Sequence, residues 1–150
     1  MTRAARPALR LRGHHLLCLF GFRGFGYSRP FVSNMAGVAR AFFSPRGPRV
    51  VLVEGPDDIC GACPHLFARD CRCADVPSLE ERDARTLRRL GLRRGGRKGS
   101  AALRELVRDR ITPEVLAELC SGCGWLASGV CGKGFSPRTG AWRRAAARAS

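Results

Sequence analysis

Cysteine spacing constrains this chain more than any other feature. Cys60, Cys63 and Cys71 stand at the same intervals as Cys120, Cys123 and Cys131, with Leu66 and Leu126 three residues past the second cysteine of each set. The offset between the sets is 60 residues throughout. The first pair is separated in both by two small residues, Gly61-Ala62 and Ser121-Gly122. A Cys-x-x-Cys hook lets two sulfurs turn to one side at metal-bonding separation, and small spacers leave backbone amides free to point at sulfur. The following residues let the chain double back over the Leu and offer a third thiol. We read this as one ligand loop used twice.

Each loop supplies three thiols and needs a fourth donor. For the first, Cys73 is at hand, so that Cys60, Cys63, Cys71 and Cys73 make one set. For the second, Cys18 is the cysteine left over, which predicts a centre of Cys18, Cys120, Cys123 and Cys131. Two such sites use all eight cysteines. The rivals are one shared cluster with the remaining cysteines buried or redox-active, and a disulfide framework. The compartment decides between metal and disulfides. The basic N-terminus and the apolar run from Leu16 to Phe22 make a poor signal peptide, because His14 and His15 open the run and Arg23 closes it. A cytoplasmic location is therefore expected, where thiols stay reduced and clustered cysteines bind metal. No apolar stretch approaches the roughly 20 residues that span a bilayer, so no membrane association is expected.

A length of 150 residues fits one domain with its own hydrophobic core. We place that core at about residues 9–135, between basic N- and C-terminal tails. With 27 Lys and Arg against 12 Asp and Glu, the formal charge is +15, which attracts polyanions. Two partner classes follow: an acidic redox partner protein, or nucleic acid.

The chain reads as an α+β fold, mostly helical. A small two-stranded sheet is expected from 9–12 and 49–54, with four to five helices and two cysteine-rich loops. Leu9 to Arg12 alternates apolar and basic residues, and Arg49 to Glu54 is a β-branched run ended by Gly55-Pro56. Residues 14–22 read as a buried helix. Ser28 caps a helix that runs to about Phe43 with Pro30 in its first turn. Ser78 and Glu81 form a capping box for a helix to about Leu90. A Gly/Arg linker follows from Gly91, then a helix from Ala101 to Ile111, then one capped by Thr112 that delivers Cys120.

Several residues carry chemistry of their own. His14 and His15 lie four and three residues before Cys18, so either could join or support a metal site there, although a histidine in an apolar helix is more commonly hydrogen-bonded in the core. Asp57 and Asp58 could act as acid–base groups or oxygen ligands, but such pairs most often cap a turn. Gly21, Gly24 and Gly26, interleaved with Phe25 and Tyr27, form a loop that could approach phosphate, stack a base or simply turn.

Leu11-Arg12-x-His14-His15-Leu16-Leu17-Cys18, Gly21-Phe22-Arg23-Gly24, Gly55-x-Asp57-Asp58-Ile59-Cys60 and Cys120-x-x-Cys123-x-Trp125 together resemble a small bacterial and archaeal domain-of-unknown-function family regarded as iron–sulfur-binding. The resemblance covers about residues 9–135; Phe25 and the basic tails depart from its pattern. It favours one or two iron–sulfur clusters over zinc and implies no particular reaction. The function expected is electron transfer or redox sensing. The alternative is a zinc-stabilised nucleic-acid-binding module, and a thiol enzyme with Cys18 as nucleophile and His14 or His15 as base is a third reading.

Overall fold

In a computed structural model of the chain, the residues described are 7–67, 70–71, 79–123, 126 and 128–135. Strand β1, Leu9–Arg12, pairs in parallel with β2, Arg49–Val53, with Arg12 opposite Val53. A parallel pair needs a long crossover, and helices α1, His15–Gly21, and α2, Arg29–Phe43, provide it. Because the strands run the same way, both chain segments that leave them emerge at the same end of the sheet. The residues after Arg12 and those after Val53 are thereby brought together.

The expected two-stranded sheet has a third member. Arg97–Gly99, which the sequence presents as part of a Gly/Arg linker, forms a further strand that pairs antiparallel with β2 and leaves β2 in the centre. Backbone bonds between Leu52 and both Gly95 and Gly96 extend this pairing into the turn before it. A separate two-stranded hairpin, β3 (Leu66–Phe67) and β4 (Asp70–Cys71), follows a single turn of 3-10 helix at Cys60–Ala62. The strand Arg97–Gly99 is therefore β5.

Caps set the helix boundaries. Ser28 Oγ accepts from Phe31 N at 3.2 Å, Pro30 occupies the first turn, and Phe31, Met35, Val38 and Phe42 turn inward at helical spacing. Thr112 Oγ1 likewise accepts from Val115 N at the start of α5, Pro113–Leu119. Helix α3, Leu79–Leu90, packs on α4, Ser100–Arg110. The core centres on Leu11, Leu16, Leu52, Leu90, Leu103 and Val107, each buried. The structure is thus α+β and mostly helical, and no helix among the described residues is long and apolar enough to cross a membrane.

A final single helical turn, α6 (Val130–Lys133), lies against α1 at backbone contact. A Cβ on Gly134 would stand 2.1 Å from Phe20 O, and one on Gly21 would stand 2.7 Å from Cys131 Cα. Side chains at these two positions would force the segments apart. Phe135 then packs its ring on Phe20, with centroids 5.7 Å apart.

Candidate metal centres

The two Cys-x-x-Cys hooks share one backbone turn. Cys63 N donates to Cys60 O at 2.9 Å, and Cys123 N donates to Cys120 O at 3.0 Å. Beyond the hook the two loops part: the first continues into the β3–β4 hairpin, which places Cys71 on a strand, whereas the second places Cys131 on helix α6. The sequence repeat is therefore a repeated turn and not a repeated loop. Cys73, the cap residue Ser78, Trp125 and the basic tails lie outside the described residues. Cys18, Cys60, Cys63, Cys120, Cys123 and Cys131 are free thiols.

The close contact of α1 with α6 carries Cys18 to the second loop. Burial pushes the Cys18 thiol well above its ordinary pKa, and the nearby thiols of Cys131, Cys120 and Cys123 push it further. Burial likewise raises Cys120 to about 12 and Cys131 to about 11. Two cations oppose this trend. Arg82 favours the thiolates of Cys18 and Cys120, and Arg23 that of Cys131. Both guanidinium groups are anchored by backbone carbonyls, Arg82 on Ser121 O and Arg23 on Phe20 O and Phe22 O. Cys18, Cys120, Cys123 and Cys131 thus lie within electrostatic reach of one another with Arg82 and Arg23 nearby, but among the described residues the one donor group whose ligand atoms come within 4.8 Å of one another is His15, Asp57 and Cys60. At neutral pH without metal Cys18, Cys120 and Cys131 therefore hold their protons.

A second group of donors forms where β1 and β2 end. His15, Asp57 and Cys60 place one ligand atom each within 4.8 Å of the others, and these three residues could hold a metal ion. Asp57 organises the group. Its Oδ1 accepts from Ile59 N and Cys60 N, and its Oδ2 accepts from Arg12 N at 2.8 Å and lies 2.7 Å from His15 Nδ1. Burial would raise the Asp57 pKa, but His15 and these amide donors outweigh it, so the carboxyl is held well below the usual range. Asp58 performs the same clamping from outside, accepting from Arg10 N at 2.8 Å. The turn-capping role expected of this pair is seen for Asp57, whereas Asp58 ties the loop to β1. Burial and the Asp57 charge push the Cys60 thiol up to about 12.

His14, whose ring lies 4.5 Å from that of His15, bonds to a different carboxylate. Its Nδ1 lies 2.5 Å from Asp83 Oδ1, while Arg12 Nε donates to Asp83 Oδ2 at 2.7 Å. Burial and the neighbouring His15 lower His14 to about 4 despite that carboxylate, so the imidazole is neutral and donates Nδ1–H to Asp83. Burial alone would lower Arg12, but Asp83 more than offsets it. Asp83 and Arg82 are functional residues that the sequence reading missed. Both sit on the buried stripe of α3 with Leu79, Thr86, Leu87 and Leu90, and charges on an apolar stripe were the available signal. The histidines thus separate: His15 joins Cys60, and His14 supports the Arg12–Asp83 pair. Each gives Nδ1 to a carboxylate from another part of the chain.

The fold and these donors define a small cysteine-rich α+β domain with the means to hold metal. Over residues 26–129 the chain matches the model of a family described as protein of unknown function (DUF1284), and it belongs to that family. The matched segment includes Asp57, Cys60, Cys120 and Cys123, begins after Cys18 and ends before Cys131. No curated protein and no solved structure matches the chain.

Proposed function

We propose that Cys18, Cys120, Cys123 and Cys131 bind an iron–sulfur cluster and that the protein serves in electron transfer or redox sensing. The observation that supports this reading is the close contact of α1 with α6, which brings Cys18 within electrostatic reach of three thiols roughly a hundred residues away in the chain. The donor chemistry fits the group. Four sulfurs with no nitrogen or oxygen suit a soft centre, and a remote cysteine completing a loop-borne set is a familiar iron–sulfur arrangement. When bound, the cluster would supply a redox couple. The chain would supply exclusion of water by the surrounding core, together with Arg82 and Arg23 to offset the charge of the thiolates.

Anaerobic purification followed by absorption spectroscopy and metal analysis tests the reading. A coloured protein is expected, with iron and labile sulfide that Cys18→Ser removes. Colourless protein carrying stoichiometric zinc would overturn it and favour a zinc-stabilised nucleic-acid-binding module. The exposed rings of Phe25 and Tyr27 and the exposed Arg88, Arg93 and Arg97 would then be the contacts to test.

A further inference from the structure

We propose that His15, Asp57 and Cys60 form a second, separate site for one divalent cation of the zinc type, with nitrogen, oxygen and sulfur ligands and a fourth position open to water. The mixed donor set distinguishes it from an all-thiolate centre. It shares no ligand with the Cys18 group, so it stands whether or not that group holds a cluster.

The geometry is prepared by the backbone. His15 opens α1 and Asp57 and Cys60 follow β2, so the parallel pairing of Arg12 with Val53 sets the three side by side. Their ligand atoms lie within 4.8 Å of one another. Donors around a tetrahedral zinc stand about 3.3–3.8 Å apart, a separation that follows from bonds of about 2.0–2.3 Å. Small side-chain adjustments therefore make the site. The amide bonds of Ile59 and Cys60 to Asp57 Oδ1 hold the carboxylate in place while Oδ2 faces His15. His15 retains 14% of its side-chain exposure beside a fully buried Asp57 carboxylate, which gives the cation a way in.

Arg12 offers a buried donor near the site. Arg12 is 1% exposed, yet its second terminal nitrogen has no hydrogen-bond partner among the described residues. The guanidinium lies within electrostatic reach of Cys60 and Asp57. A thiol is a weak acceptor for this donor and a thiolate a strong one. Coordination exchanges the Cys60 S–H bond for an S–metal bond and requires the ligating His15 nitrogen to be free of its proton, and the protons displaced pass to solvent. The charges then close, with Asp57 and Cys60 balancing the cation and Asp83 balancing Arg12.

Cadmium NMR of the full chain, stripped of metal, kept reduced and reloaded with cadmium, tests the site. The expected spectrum contains a resonance well upfield of the all-thiolate region, from one thiolate with nitrogen and oxygen donors. His15→Gln and Cys60→Ser should each abolish it and leave any all-thiolate resonance in place. The proposal is overturned if the wild-type chain shows no such resonance, or if His15→Gln leaves it unchanged. It is equally overturned if Cys60→Ser removes an all-thiolate resonance instead. Should Cys60→Ser fail to fold, the wild-type spectrum and the partly exposed His15→Gln variant decide the matter.

Discussion

Asp83 is the residue on which the buried charges near the start of α1 depend. It accepts from Arg12 Nε, His14 N and His14 Nδ1, and no water reaches the guanidinium it neutralises. Asp83→Asn keeps the shape and removes the charge, so Arg12 is left as an uncompensated buried cation. Breaking a buried pair in this way costs about 3–5 kcal/mol. The pH dependence has a definite sign. Burial would raise the Asp83 pKa, but the side-chain and backbone hydrogen bonds from His14, with the charge of Arg12, hold it below its ordinary value. Its stabilising contribution is thus complete above the unfolded-state pKa of about 3.9 and disappears as pH falls through the folded-state value. Urea unfolding of wild type and variant should differ most at neutral pH and converge in acid. A constant gap across the whole range would show that packing, and not charge, is what Asp83 supplies.

At the scale of elements, the contact of α1 with α6 decides whether Cys131 can stand near Cys18. Gly134→Ala places a methyl against Phe20 O, and overpacking of this kind costs about 1–3 kcal/mol. Gly132→Ala, where an added Cβ meets nothing within 4 Å, is the control. Thermal melts and metal analysis should show lower stability and lower occupancy of the four-thiol centre in the first variant and neither effect in the second. Equal behaviour of the two would remove the contact from the account of the site. The elements that the sequence revealed are those whose causes are local. Ser28 and Thr112 announce their helices because a cap needs only its next three residues, and β1 and β2 announce themselves by composition. Strand β5 was hidden, since Arg97-Lys98-Gly99 has neither alternation nor branching and becomes a strand only because the edge of β2 is there to pair with. The hook turns were legible and their divergence was not, because it depends on what each loop packs against after the Leu. The grouping of His15 with Asp57 and Cys60 was likewise hidden, because it follows from strand direction and not from spacing along the chain.

For the whole molecule, the two ends of the described chain differ in what holds them. The sheet with α2, α3 and α4 carries many of the buried apolar side chains of the core. The C-terminal part relies on α5, seven residues long, and α6, four residues long, both far too short to persist without tertiary contacts. The backbone contact of α6 with α1, the Phe135–Phe20 rings and the Arg82 bond to Ser121 O hold this part in place, and a filled thiol centre would add a further tie to α1. Because burial raises Cys18, Cys120 and Cys131 far above neutral pH, these thiols keep their protons and have no strong attraction for one another when no metal is bound. Filling the site converts thiols to thiolates bound to one cationic centre, and that binding energy becomes folding energy for the segments it joins. Native-state hydrogen exchange on the reduced protein, before and after chelation, should therefore show protection falling in α1, α5 and α6 while the amides of β2 change little. A uniform loss across the sheet would mean that the metal supports the entire fold, and unchanged exchange at α6 would mean that no centre joins Cys131 to Cys18.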